Sequence, residues 1–101
     1  MNHKVLIFAF FLASCSSVDD SRDSAVAICQ DLCQENLDMN MIMDHGPCLS
    51  DRIINDWVCD VAHNPSTEAD NDLANQCPAY RAGSASHFVE VDTECQLIRA
   101  R

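Results

Sequence analysis

Seven cysteines in a chain of 101 residues constrain this sequence more than any other feature. In a short exported chain, a cysteine content this high is typical of a disulfide scaffold, whereas the cytosol keeps thiols reduced. Cys15 lies near the N-terminus, and the remaining six are spread along the chain at Cys29, Cys33, Cys48, Cys59, Cys77 and Cys95. Because six cysteines can all pair, these six are predicted to form three disulfides.

The first fourteen residues have the three parts of an export signal. Lys4 supplies a positive charge, residues 5–13 form an unbroken apolar run, and small residues follow. As a helix with a rise of 1.5 Å per residue, this run would span about 14 Å, which is about half of the hydrocarbon core of a bilayer. Residues 1–14 are therefore predicted to be a removable signal peptide and not a membrane span.

The end of this signal carries a recognisable motif. Leu12, Ala13, Ser14 and Cys15 resemble the lipobox of bacterial-type lipoproteins, in which an aliphatic residue and two small residues precede a cysteine. The resemblance implies that the thiol of Cys15 accepts a lipid, that Cys15 becomes the first residue of the mature protein, and that the membrane is its partner through that lipid. The alternative is plain secretion, with cleavage after Ser16.

The rest of the chain is predicted to form a polar tether and one small domain. Residues 16–24 consist mainly of Ser and Asp and lack a hydrophobic period, so residues 15–24 are expected to be a lipidated cysteine followed by a solvated tether. Residues 25–101 are expected to be a single disulfide-stabilised domain. Its predicted fold class is α+β, with an N-terminal helix packed on a short antiparallel sheet of about three strands.

The elements of this domain follow from local patterns. Apolar residues at helical spacing predict a helix over residues 25–37, with Ser24 or Asp23 as its N-cap. The alternation around Trp57 predicts a half-buried strand, with Trp57 in the core. Residues 66–75 are expected to be a surface loop, residues 76–82 a short helix ended by Gly83, and the C-terminus a hairpin that turns at residues 92–94.

The connectivity of the disulfides is less constrained, since six cysteines allow fifteen pairings. Cys29 and Cys33 lie one helical turn apart on the same face, so each is expected to bond to another cysteine. Short loop closures favour three bonds, namely Cys29–Cys59, Cys33–Cys48 and Cys77–Cys95.

Zinc is the main alternative to disulfides. Cys29, Cys33, His45 and Cys48 are near the spacing of a structural zinc site, and Cys59, His63, Cys77 and Cys95 offer a looser second set. A zinc site of this kind requires thiolates, which an oxidising compartment does not favour. Asp70, Asn71 and Asp72 begin like a calcium loop, but Ala74 and Asn75 depart from that motif. No cofactor is therefore expected.

Charge and missing motifs exclude several functions. The formal net charge is −10, which opposes binding to nucleic acid, and no lysine follows Lys4. This composition is also compatible with adaptation to high salt. Ser84, Ser86 and His87 lack the sequence context of a catalytic triad, so the chain is not expected to be an enzyme.

Two functional hypotheses remain. The first is a small binding or structural module on the cell envelope, with its contact surface in residues 39–45 or 66–75. The second is a secreted disulfide-rich effector or inhibitor.

Overall fold

A computed structural model of the protein describes residues 18–101. The predictions for the signal peptide and for Cys15 therefore lie outside the described residues. In the part of the chain that is described, no helix is both long enough and apolar enough to cross a membrane.

The domain consists of one long helix, one short helix, two 3-10 turns and a four-stranded sheet. Their bounds are α1 (Val18–Asp38), β1 (Cys48–Ile54), β2 (Trp57–Val61), 3-10 turns at Glu68–Asn71 and Leu73–Asn75, α2 (Pro78–Arg81), β3 (His87–Val91) and β4 (Leu97–Ala100). The predicted α+β, disulfide-rich class is confirmed.

The sheet differs from the prediction in strand number and direction. Its order is β1-β2-β3-β4; the two outer pairs are antiparallel, whereas β2 and β3 are parallel. A parallel pair needs a connection of a dozen or more residues that returns the chain to the same end of the sheet. Residues 62–86 make this connection, and we call them the crossover segment. The strand that was not predicted is β1, whose pairing with β2 is interrupted by two register shifts.

Helix α1 covers one face of the sheet. Ala25, Cys29 and Cys33 recur every fourth residue and are fully buried, where they meet Val89 and Val91 of β3. The helix begins at Val18, so the prediction of a tether is wrong for residues 18–24, and neither Asp23 nor Ser24 is the N-cap. Residues 20–24 are exposed turns of the helix. They bury no apolar stripe, which is why the pattern did not predict them.

Two disulfides join this helix to the sheet side of the fold. Cys29 bonds to Cys59 of β2, as predicted, and Cys33 bonds to Cys95 in the turn between β3 and β4. The third bond, Cys48–Cys77, lies on the opposite face of the sheet, where it joins β1 to the crossover segment. The predicted pairs Cys33–Cys48 and Cys77–Cys95 are wrong, because in each pair the two cysteines lie on opposite faces of the sheet.

The remaining local predictions are largely confirmed. Trp57 is buried, as predicted. Strand β2 is more buried than the predicted half-buried strand, because α1 and the crossover segment cover its two faces. Helix α2 lies within the predicted range, and Gly83 follows it with a φ of 83°. Strands β3 and β4 form the predicted hairpin, in which Asp92 Oδ1 accepts hydrogen bonds from the backbone amides of Glu94 and Gln96, both at 2.9 Å.

Candidate functional site: a pocket between the sheet and the crossover segment

The two central strands each place one acidic residue on the same face of the sheet. Asp60 in the sequence WVCDV of β2 is paired in register with Glu90 in the sequence HFVEV of β3. Since successive side chains of a strand alternate between faces, both carboxyl groups lie opposite the face that packs on α1. They therefore lie next to each other beneath the crossover segment.

A pocket of about 180 Å³ lies between this face and the crossover segment. The sheet supplies Asp60 and Glu90 together with two apolar side chains, Val58 and Phe88. The crossover segment supplies the remaining wall: Asp70, Gln76, Cys77, Tyr80 and Arg81. The Cys48–Cys77 disulfide holds this wall against β1.

Asp60 has a carboxyl oxygen without a partner. Its Oδ1 atom is shielded from solvent and accepts no hydrogen bond from the residues that the structure describes. Burial raises the pKa of this carboxyl group to about 8, with further contributions from the negative charges of Glu90 and Asp70. Asp60 is therefore mostly neutral at pH 7, although an exposed aspartate would be ionised.

The negative charge of Glu90 is partly compensated by Arg99. Burial raises its pKa, against the opposing effect of Arg99, whose Nε lies 3.0 Å from Glu90 Oε1. Arg99 comes from the neighbouring strand β4 at the position paired with Glu90. The ion pair therefore holds the Glu90 side chain at the edge of the pocket.

Asp70 organises the crossover segment. Its carboxylate accepts hydrogen bonds from the backbone amides of His63 and Thr67, both at 3.0 Å, and lies 2.9 Å from His63 Nδ1. Burial alone would raise its pKa, but these hydrogen bonds outweigh burial and lower the pKa. Thr67 Oγ1 contacts the same Nδ1 atom at 3.2 Å, so the three side chains do not form the relay through both ring nitrogens that a catalytic triad requires.

The other side of the pocket is aromatic. The rings of Tyr80 and Phe88 meet edge to face, with their centroids 5.1 Å apart. Arg81, next to Tyr80, donates from Nη1 to the carbonyl of Leu73 at 2.9 Å. The pocket thus combines an acidic side with an aromatic side.

The structure separates the residues of the zinc hypothesis. Cys29, Cys33 and Cys48 belong to three different disulfides, and His45 is exposed in a turn. The looser second set likewise divides its cysteines among those three bonds. Over residues 18–101, the one grouping with metal-ligand spacing is Cys48, Asp51 and Cys77, two of which are bonded to each other. The cysteines of both sets are thus bonded in disulfides and do not offer the free thiolates that the zinc alternative requires.

The other sequence candidates have local structural roles. Asp70 binds His63 and Thr67, whereas Asp72 Oδ1 accepts a hydrogen bond from the amide of Ala74 at 3.0 Å, so the two do not converge as a calcium loop requires. His87 stacks on Trp57, with ring centroids 4.6 Å apart.

Asp60 and Glu90 were not among the candidate residues predicted from the sequence. The available signal was one acidic residue inside each of two short apolar strands, which is unusual in strands that are covered on both faces. The two acids can be recognised as neighbours in one site only when β2 and β3 are known to be parallel and in register.

No protein-family model, curated protein or solved structure matches the chain.

Proposed function

We propose that the protein is an exported, lipid-anchored binding module of the cell envelope, and that the pocket is its binding surface. The observation that carries the binding role is the unpartnered carboxyl oxygen of Asp60 beside a pocket with an aromatic side. A concave pocket with a few convergent polar groups and perturbed pKa values is the usual form of a ligand site.

The disulfides support export. All six cysteines from Cys29 to Cys95 are used in three bonds, which is consistent with an extracytoplasmic location. With these six paired, Cys15 is the cysteine left over for lipidation, as the lipobox resemblance implies. Helix α1 begins three residues after Cys15, so a lipid on Cys15 would hold the domain close to the membrane surface.

The anchor is tested by cell fractionation. We expect the protein to sediment with the membranes and to be released by detergent, whereas a Cys15→Ser variant should be found in the soluble fraction. Ser17→Ala is the matched control, since it changes a nearby small polar residue outside the lipobox, and it should behave like the wild type. A Cys15→Ser variant that stays with the membranes would contradict lipid anchoring.

The same experiment addresses the secreted alternative. If the wild-type protein is free in the medium, the interpretation as a disulfide-rich secreted effector replaces the envelope module. In either location the pocket remains the proposed binding surface.

A further inference from the structure

The acidic side of the pocket has one group with unused hydrogen-bonding capacity. Asp70 is occupied by His63 and Thr67, and Glu90 is paired with Arg99. Asp60 Oδ1 has no partner among the described residues. A buried acceptor without a partner costs free energy, and because Oδ1 itself is shielded from solvent, a ligand would meet the Asp60 carboxyl group where its side chain lines the pocket.

The size and the aromatic side of the pocket indicate a compact organic ligand. An engineered cavity of about 150 Å³ in another protein binds benzene, and the pocket here has a volume of about 180 Å³. Val58, Phe88 and Tyr80 supply apolar surface, and the aromatic rings can also attract a cation. The pocket is therefore large enough for an apolar group about the size of one benzene ring.

The charges that face Asp60 favour a positive ligand. Glu90 on β3 and Asp70 in the crossover segment both act on Asp60 as negative charges. Arg81 on α2 also lines the pocket and is positively charged; its Nη1 atom donates a hydrogen bond to the carbonyl of Leu73.

Three basic residues interact with Glu90 and Asp70. Arg99 and Arg101 at the C-terminal end act on Glu90, while His63 is bound to Asp70. The charges that act on Asp60 are those of Glu90 and Asp70, both negative. These two negative charges favour a cation next to Asp60.

A metal ion does not fit this arrangement. Within residues 18–101, the pocket acids Asp60, Asp70 and Glu90 do not come together at coordinating distance, and the one such grouping lies elsewhere, around the Cys48–Cys77 disulfide. A metal ion needs several oxygen ligands at about 2.0–2.6 Å, whereas an ammonium group needs one or two acceptors and tolerates an apolar surround.

We propose that this pocket binds a small organic cation, an ammonium group on a compact apolar body, with the ammonium donating a hydrogen bond to Asp60 and the body lying against Phe88 and Tyr80. This inference rests on the proposed function, since it names the ligand class of the proposed binding surface.

Binding of such a cation is coupled to a proton. The empty pocket holds Asp60 in its neutral form at pH 7, because its pKa is about 8. When the ammonium binds, the Asp60 O–H bond breaks and the proton passes to solvent, which leaves a carboxylate paired with the cation. Affinity for the cation therefore rises with pH, by up to about tenfold per pH unit below pH 8.

The test compares benzylammonium with benzyl alcohol, which has the same ring and the same number of non-hydrogen atoms but no charge. Each is titrated into the isolated, disulfide-bonded protein between pH 5 and pH 8, and backbone amide NMR signals are recorded. We expect benzylammonium to shift signals of pocket residues such as Val58 and Phe88, with an affinity that increases with pH. Benzyl alcohol should bind more weakly and without a dependence on pH.

Variants localise the effect. Asp60→Asn should remove the pH dependence and weaken benzylammonium binding at pH 8. Asp31→Asn makes the same change of charge on the exposed side of α1 and should leave both unchanged. Tyr80→Leu is independent of Asp60; it alters a side chain that is 44% exposed and should lower the affinity severalfold while keeping the pH dependence.

Two results would overturn the inference. One leaves the pocket as the binding surface, and the other contradicts the binding surface as well. Equal binding of benzyl alcohol and benzylammonium at pH 8 would show that the pocket takes small neutral molecules, so the ligand class would be wrong and the binding surface would stand. No shift of pocket signals with either compound, or with benzoate, would remove the pocket as a binding surface as well.

Discussion

Burial of Asp60 opposes ionisation of its carboxyl group, so the stability of the folded protein should depend on pH. The carboxyl group has a pKa of about 8 in the folded protein and an ordinary value of 3.8 when it is exposed. Between these values the unfolded chain has lost the proton that the folded protein keeps, so a rise in pH favours unfolding. Glu90, whose pKa is also raised, acts in the same direction.

We therefore predict that the free energy of unfolding decreases from pH 5 to pH 8, by up to about 1.4 kcal/mol per pH unit. Asp60→Asn should flatten this profile and be more stable than the wild type at pH 8, because the amide cannot ionise. Urea denaturation at several pH values measures both effects. Asp31→Asn is the control and should keep the wild-type slope.

Asp70 acts in the opposite direction and in a different range. Its pKa is lowered, so the stability it contributes is present above pH 4 and is lost as the pH falls further. The two residues are thus distinguishable by pH. If the wild type and Asp60→Asn had the same slope from pH 5 to pH 8, the account of Asp60 as a buried neutral acid would be wrong.

Gly46 supports the pocket from behind Asp70. Its φ is 69°, and a Cβ atom there would lie 2.8 Å from Asp70 Oδ1 and 3.0 Å from the carbonyl of Val61. Gly83 has a similar φ of 83°, but a Cβ atom at that position would meet none of the described residues within 4 Å. Both positions carry the cost of a left-handed backbone, and only Gly46 adds a steric conflict.

We predict that Gly83→Ala lowers the free energy of unfolding by about 1 kcal/mol and that Gly46→Ala lowers it by about 2 kcal/mol or more. Thermal unfolding of the two variants side by side gives the comparison. Equal losses would mean that the contact between residue 46 and Asp70 does not constrain the crossover segment.

At the level of elements, the disulfides make two separate attachments, one on each face of the sheet. Cys29–Cys59 and Cys33–Cys95 hold α1 on one face of the sheet, and Cys48–Cys77 holds the crossover segment on the other. The second attachment forms a wall of the pocket, since Cys77 lines it. The pocket therefore depends on a different bond from those that attach the helix.

We predict that the double variant Cys48→Ala/Cys77→Ala loses about 3–4 kcal/mol, the value expected for a bond that spans 29 residues. Amide hydrogen exchange should accelerate in the crossover segment, for example at Ser84, whose amide donates to the carbonyl of Ala79 at 2.8 Å. Amides in the middle of α1 should stay protected. Uniform loss of protection across both elements would contradict this division.

Elements with a strong buried pattern were predictable from the sequence. The stripe through Ala25, Cys29 and Cys33 predicted the core of α1, and the apolar run around Trp57 predicted β2. The first turns of α1 were not predictable, because they are exposed and bury no apolar stripe. Strand β1 was missed because its residues are only partly buried and its register is irregular.

The arrangement of the elements was harder to predict than the elements. Loop length favoured Cys33–Cys48, but the two residues lie on opposite faces of the sheet, and the face is set by tertiary packing. The pairing of Asp60 with Glu90 depends likewise on the parallel register of β2 and β3. Both the disulfide pattern and the pocket are therefore consequences of topology, which local patterns do not encode.

At the scale of the whole molecule, the three disulfides carry much of the stability. A small domain buries a modest core, and each disulfide contributes about 2–4 kcal/mol, so together they are comparable to the entire net stability of an ordinary domain. The bonds interlock distant parts of the chain, with sequence separations of 29, 30 and 62 residues. The fold is therefore expected to depend on conditions that keep the three disulfides oxidised.

The central claim, an exported and lipid-anchored domain locked by three disulfides, is tested most directly by the intact mass of the protein from its native type of host, measured with and without reduction. We predict a mature chain that starts at Cys15 and carries acyl mass. Reduction should add about 6 Da, two hydrogens for each of the three bonds. An unmodified chain whose mass does not change on reduction would contradict both the anchor and the disulfide-locked fold.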